Sequence, residues 1–476
     1  MGKHRGGDPL KSLRFAHRAT ELYEQGLARW PRNLDLAYNK ARLELEVATH
    51  PGLSRHLDVP VVEVLRRSLA SHEYALSLDQ DNADALFNAA QVLTAVAELI
   101  ARDEGVSDAE ALRCLEQALQ YQERCLQIQK EKYAEARTVH EEAARIRLEG
   151  YEDDDDDGGA QIDANMRTSY EDREEEEEQW VSVVEPVTAN TLVDTILAQL
   201  STLTTLCSIL NSSLATTGSL PASSVSLQWI EACSTKILTG ELPEVQNASS
   251  EKDSEIALTK AILAANFLEL AFRSRSIEID VYKDELEKAF SAPDESADAQ
   301  LAYARALIAL NSALSDTWSG SEGAGQHGNI RWNALSKAQR LLTSAASAAK
   351  ADTDTLATTH MLRGDASLLL FALSYPPASF AQAKANAPQL LRNAEVFYRN
   401  ANKLFGTLGE DAQEEQQTAA FRGAVVEVLQ SGGLNAADAE RVLASASMGK
   451  SDGWRREQLQ DIIDEGLARA EIFGMS

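Results

Sequence analysis

Two stretches near the start of the chain can be laid over one another. Tyr23-Glu-Gln-Gly-Leu27 followed by Pro31-Arg-Asn-Leu-Asp-Leu-Ala-Tyr-Asn39 matches His72-Glu-Tyr-Ala-Leu76 followed by Asp81-Asn-Ala-Asp-Ala-Leu-Phe-Asn88. At one constant offset Asn33 falls on Asn82, Asp35 on Asp84 and Asn39 on Asn88. A fainter third copy runs from Tyr121-Gln-Glu-Arg-Cys-Leu126 through Lys132-Tyr-Ala-Glu-Ala136. Each copy reads as the end of one helix, a short polar turn and the start of the next. Such a unit does not bury its apolar face alone, so copies must stack, and stacking makes an elongated array. Helical periodicity dominates the rest of the chain and strand-like alternation is almost absent. With 476 residues, 44% hydrophobic but only 6% aromatic, the chain suits helices packed on small side chains rather than one compact core.

The copies resemble the tetratricopeptide repeat. In that family a helix ending in Y-x-x-A-L is followed by a D-P-N-like turn and a second helix packed on small residues. The matching positions are Tyr23, Gly26, Leu27, Pro31 and Asn33, then Ala75, Leu76, Asp81 and Asn82. The spacing departs from the family's period of roughly 34 residues, and the insertion 48–60, with Pro51, Gly52 and Pro60, carries part of the excess. The resemblance covers residues 12–148 and implies an all-α, tetratricopeptide-like helical-repeat solenoid.

Residues 149–178 are of another kind. Fifteen acids stand against Arg167 and Arg173, so −13 of the chain's net −29 lies in this short span. It holds Asp153, Asp154, Asp155, Asp156 and Asp157, then Glu174, Glu175, Glu176, Glu177 and Glu178. A block of like charge repels itself and buries no core, which predicts a disordered segment interrupting the solenoid. The expected organisation is a flexible terminus over 1–11, repeats over 12–148, an acidic insertion over 149–179 and a second helical-repeat domain over 180–476. Trp180–Pro186 reads as an extended anchor back to the folded body. The charge balance argues against nucleic acid, whose phosphates need a basic stripe. It favours a basic protein partner, which an acidic surface attracts and keeps soluble.

After residue 189 the helical pattern resumes, with a helix expected over 191–214 and further helices near 224–239, 253–275 and 278–291. Helix-turn-helix steps follow at 287–303, 340–361 and 397–421, spaced by roughly 58–60 residues. A last amphipathic helix with Leu459, Ile462, Ile463, Leu467 and Ala470 is suited to cap the stack. The stretches 215–224 and 316–329 read as Ser/Thr-rich and Gly-rich loops.

Catalytic chemistry has no visible home. Gly323-Ala-Gly-Gln-His-Gly328 has dinucleotide-loop spacing, but the pattern works only between a strand and a helix, and none is expected there. His50 and His56 flank a turn without a third ligand, so no metal and no cofactor is expected. Cys114, Cys125, Cys207 and Cys233 include no C-x-x-C pair and read as small core residues of a reducing compartment. No secretory leader is seen, and no apolar run is read as approaching the roughly 20 residues that span a bilayer. The expected location is cytoplasmic, nuclear or both, with no membrane partner.

A polar constellation is more informative. Asn39 and Asn88 occupy one place in successive second helices, the helices that line the inner groove of tetratricopeptide arrays. An asparagine there donates and accepts at once, matching the backbone of an extended peptide. The O-linked N-acetylglucosamine transferases are similar in having such an asparagine ladder. Lys40, Arg42 and Gln91 are near neighbours and complete the candidate peptide-binding set. The carboxylate clamp of heat-shock co-chaperones needs a lysine and an arginine that 86–93 does not supply. Thr168 and Ser169, each with an acid three residues on, suit acid-directed phosphorylation. The chain looks like the fungal-type tetratricopeptide proteins that escort ribosomal or other basic proteins. That implies a chaperone or adaptor, with the groove holding an extended segment and the acidic tract screening its charge. The competing expectations are a scaffold subunit of a stable complex and an enzyme whose site assembles from distant helices.

Overall fold

The computed structural model describes residues 8–102, 108–151, 186–221, 225–246, 250–291, 296–317, 324–348, 351–431, 436–447 and 449–473. Among these the chain is helical throughout, with no strand. The first helices are α1 (Pro9–Arg29), α2 (Leu34–Thr49), the single turn α3 (Pro51–Ser54), α4 (Val61–Leu78), α5 (Ala83–Ile100), α6 (Asp108–Tyr151) and α7 (Ala189–Thr217). They are followed by α8 (Leu227–Thr235), a π-helical turn (Lys236–Glu241), α9 (Leu242–Gln246), α10 (Asp253–Arg273), α11 (Ile279–Ala289) and α12 (Ala297–Thr317). The last are α13 (Ala324–Ser347), α14 (Thr353–Ala372), α15 (Ala381–Leu408), α16 (Gln413–Gln430), α17 (Ala436–Ala446) and α18 (Asp452–Asp464).

The motif that repeats in sequence is a helix start. Asn33 Oδ1 accepts from Leu36 N and Asn82 Oδ1 from Ala85 N, both at 2.9 Å. Thr188 and Asp352 cap α7 and α14 in the same way, accepting from Thr191 N at 3.2 Å and Thr355 N at 2.7 Å. Each such cap satisfies an orphan N–H of the first turn and is worth about 1 kcal/mol. Asp35, Asp84 and Asp354 stand two residues after their caps, and they and Asp298 are the second residues of α2, α5, α14 and α12, where the helix dipole favours an acid.

Helices pair as α1/α2, α4/α5, α6/α7, α13/α14 and α15/α16, and between α7 and α13 the line of second helices continues through α10, which packs on α7, and α12, which packs on α10. Along this line α4 packs on α2, α6 on α5, α8 and α9 on α7, α11 on α10, α13 on α12 and α15 on α14, which makes one continuous array. Close approach is allowed by small residues: Ala41, Ala75, Ala85, Ala89, Ala90 and Ala97 are fully buried. At Gly26 a Cβ would sit 3.0 Å from Leu36 Cδ1, so α1 meets α2 nearly backbone to side chain. At the far end α17 and α18 cover α16, with Ile462 and Leu467 buried and Trp454 edge-on to Phe421 at 5.5 Å.

Several expectations are corrected. The third sequence copy holds no turn, because α6 runs unbroken through 121–136: Gln127-Ile-Gln-Lys-Glu131 has no Gly, Pro or cap residue to stop it. Its true partner is α7, on the far side of the acidic tract. Gln122 Nε2 donates to Thr202 Oγ1 at 3.0 Å and Thr195 Oγ1 donates to Gln129 Oε1 at 2.7 Å. The tract is thus an insertion between the two helices of one pair, and 12–148 and 180–476 are not separate domains. One core joins Leu45, Leu65, Val96 and Leu115 to Leu192, Leu200, Ile230 and Leu270. The terminus is ordered from Pro9, capped by Asp8. Residues 324–329 of the expected Gly-rich loop form the start of α13, and 215–217 end α7. The proposed anchor over 180–185 and the acidic run lie outside the described residues. Contrary to the reading of apolar runs, Ala83–Ile100 and Ala189–Thr217 are long and apolar enough to cross a bilayer, with mean hydropathy 1.3 and 1.4. Both bury their apolar faces inside the array.

In that register Ala189 lies level with about residue 135 of α6. The helix continues for about 16 residues beyond α7, roughly 24 Å at 1.5 Å per residue, and residues 134–139 are exposed. The tract therefore departs from a helix that projects past the stack.

One buried group makes the N-terminal pairs acid-sensitive. His72 is fully buried, with Nδ1 2.9 Å from Ser68 O, edge-on to Tyr38, and its Nε2 has no hydrogen-bond partner. Facing a carbonyl, Nδ1 is the donor, so acid would place a proton on a buried, unpartnered Nε2. Burial lowers its pKa, outweighing the Ser68 hydrogen bond. Since the folded pKa is depressed, the unfolded state binds more protons below pH about 6.5, and stability falls with pH by up to about 1.4 kcal/mol per unit. Urea midpoints measured from pH 7 to 5 are expected to fall more steeply for the native chain than for His72→Gln; parallel curves would refute this.

Candidate functional site

Second helices touch one another along the array: α2 meets α5, α5 meets α7, α7 meets α10 and α10 meets α12. First helices are held apart by the second helices between them, so the array curves with the second helices on its inner face. Three clefts run along that face. One, of about 550 Å³, lies among α5, α7 and α10 and is lined by Phe87, Gln91, Asp194, Ser201, Glu255 and Thr259. The next, of about 420 Å³, is bounded by Glu98, Arg102, Asp108, Thr205, Ser208 and Asn266. The third, of about 260 Å³, is a slot between α10 and α12. Thr204, Ile262 and Asn266 are each shared by two clefts, so the three form one trough.

The trough is acidic. Lys252 stands between Asp194, with which it pairs, and Glu255 at 4.0 Å, leaving two carboxylates to one ammonium. Glu98 accepts from Thr205 Oγ1 at 3.2 Å. Among the described residues no cation pairs with Glu98, Asp35 or Asp84.

The five residues singled out from sequence are divided by the fold. Asn88 Nδ2 donates to the Tyr38 hydroxyl at 3.0 Å, reaching back to the aromatic of the preceding pair. Asn39 holds the same register in α2, where no earlier second helix is found among the described residues, and is half-exposed. Gln91 lines the trough and Arg42 lies over the Tyr38 ring at 6.0 Å. Lys40 is the correction. It pairs with Glu24 at 3.3 Å and Glu44 at 3.7 Å in a separate cleft bounded by α1, α2 and α4, because it lies about 100° around the helix from Asn39. The asparagine ladder stops after two rungs. Asn39, Asn88 and Asp194 each stand five residues after the first residue of their helices (34, 83 and 189), so the third rung is an aspartate. Sequence reading missed Asp194, Glu255 and Glu98; the shared register was a signal for Asp194 alone, and it is visible only once α7 is known to pair with α6. The acidic candidates at 153–157 and 174–178, with Thr168 and Ser169, lie outside the described residues.

Other chemistry finds little support. The rings of His50 and His56 both engage the backbone of Gly52, His50 Nδ1 accepting its N–H at 3.1 Å and His56 Nδ1 lying 3.1 Å from its carbonyl. Among the described residues no three His, Cys, Asp or Glu side chains are placed to hold a metal. Burial pushes the thiols of Cys125 and Cys207 up to about 12, far from a nucleophile's range. Gly325 and Gly328 lie in the first turns of α13, after a helix rather than a strand, and Gly328 sits against Phe380.

Fold and trough together define a helical-repeat protein with an acidic inner face. No family model matches the chain. It is similar, at 38% identity over 92 residues, to UPF0656 protein C926.02 of Schizosaccharomyces pombe, the match covering 19% of this chain and 20% of that protein. The chain thus spans about a fifth of the length of that relative. A solved structure titled as a circular tandem repeat protein with novel repeat topology and enhanced subunit contact surfaces aligns over 96% of this chain and 90% of its own. Its identity is 15% and its TM-score 0.24.

Proposed function

We propose that this chain is a non-catalytic, tetratricopeptide-like binding protein that holds a basic polypeptide, acting as its chaperone or adaptor in the cytoplasm or nucleus. The observation that carries the reading is the continuous trough of second helices, whose acids Asp194, Glu255 and Glu98 outnumber the cations beside them. Small side chains and hydroxyls on its floor leave room for an extended backbone, while the acids select lysine and arginine. A ribosomal protein is one client of this chemistry. The acidic tract adds long-range attraction, which speeds capture and is screened beyond about 8–10 Å by physiological salt.

The reading is tested with a fluorescein-labelled lysine-rich peptide and fluorescence anisotropy. Affinity is expected to fall steeply between low and moderate salt. The pair Asp194→Lys and Glu255→Lys is expected to weaken binding about tenfold or more at low salt, with the circular dichroism spectrum unchanged. Salt-independent binding that the reversal leaves intact would overturn it. One observation favours a scaffold subunit instead: among the described residues Phe15 and Leu22 are 62% and 59% exposed on one face of α1. A stable partner seated there would persist at high salt.

A further inference from the structure

We propose that the slot between α10 and α12 is an anchor site for one large apolar side chain of the bound basic segment, an inference that rests on the reading above. The slot is walled by Ile262 and Ala265 of α10 and by Ala302, Ala306 and Ala309 of α12, with Phe290 at its border. Its volume of about 260 Å³ suits a single side chain of leucine or phenylalanine size. It is the most apolar of the three clefts, and it opens into the acidic ones through Ile262 and Asn266.

Two charges mark its rim, and they differ in state. Glu269 is already engaged, accepting from Arg273 Nε at 2.8 Å, and Arg273 is held by Asp316 at 2.7 Å. Arg305 lines the slot and is exposed, with no carboxylate in ion-pair distance among the described residues. A guanidinium there offers its donors to the backbone carbonyls of a segment whose side chain fills the slot. Glu255 stands on α10 itself, seven residues before Ile262 of the slot wall and so about 10 Å along the helix, and Asp194 flanks the same Lys252 at that end. An extended chain advances about 3.3 Å per residue, so that distance is about three residues. Charge complementarity and spacing therefore name the occupant: a strand-like segment with an apolar residue about three positions from a lysine or arginine. The acids supply attraction that salt removes, and the slot supplies a contact that salt leaves in place.

The experiment uses the full chain and two labelled probes of alternating lysine and glycine, one with a central phenylalanine and one with alanine in its place. The phenylalanine probe is expected to bind about tenfold or more tightly, and to keep that advantage at high salt. Filling the slot with Ala302→Leu and Ala309→Leu is expected to abolish the advantage while leaving the alanine probe's affinity unchanged. Equal binding of the two probes by the native chain would overturn the slot and leave the basic-client reading standing. Binding of neither probe would overturn both. The comparison of probes on the native chain needs no variant to fold.

Discussion

Replacing Arg422 by methionine will destabilise the C-terminal pairs by about 3–5 kcal/mol, the cost of leaving a buried carboxylate without its partner. Arg422 of α16 is buried, donating to Asp365 Oδ1 of α14 at 2.6 Å and to Glu465 just beyond α18 at 2.8 Å. The fully buried Tyr398 of α15 donates its hydroxyl to the same Asp365 oxygen at 2.7 Å. Burial opposes the charge on Arg422, yet Asp365 and Glu465 outweigh it and hold the guanidinium firmly protonated. Tyr398 reaches Asp365 only because position 364 is glycine: a Cβ there would lie within 2.7 Å of three ring atoms. One network therefore ties α14, α15, α16 and the chain after α18 together. In a linear array, losing it should loosen those helices and spare distant ones. Amide exchange followed by mass spectrometry should show faster exchange across α14–α16 and unchanged exchange in α4–α7. The double variant Asp365→Asn with Arg422→Met removes both charges and should recover most of the loss. A single variant with native exchange would show that the network contributes specificity rather than stability.

Deleting 149–178 should lower the association rate constant for a basic peptide by about 10–100-fold at low salt while leaving the melting temperature within a degree or two. The fold permits the cut, since α6 stops contacting α7 near residue 135 and projects beyond it, so the deletion removes none of the pair's interface. The charge removed is −13 of −29, and its effect on encounter should fade as salt rises. Stopped-flow measurements at low and high salt separate the contributions: the tract should act on the on-rate, the trough on the off-rate. An unchanged on-rate at low salt would remove the tract from the mechanism and leave the trough as the whole of the site. A large loss of thermal stability would instead make the tract part of the fold.

The helical-repeat class was legible from sequence because its strongest signals are local. A cap such as Asn33 or Asn82, an acid two residues later and a 3.6-residue apolar period act within one or two turns, so the residues that set them are neighbours in the chain. The same locality explains why later copies look weak, since their shared core is alanine and leucine at positions that many sequences satisfy. What the sequence determined by itself was helix content, most helix starts and the concentration of charge in one tract. Pairing was decided by tertiary structure. Residues 121–136 look like a turn by analogy yet stay helical, because α7, arriving from across the insertion, packs along α6 where a nearer helix was expected. The same long-range contact converts Asp194 from an unremarked residue into the third rung of the Asn39–Asn88 series. Lys40, about 100° around α2 from Asn39, instead faces α1 and pairs with Glu24 and Glu44. Which faces of the second helices meet depends on burial summed over many distant contacts, and no short window of sequence contains that sum.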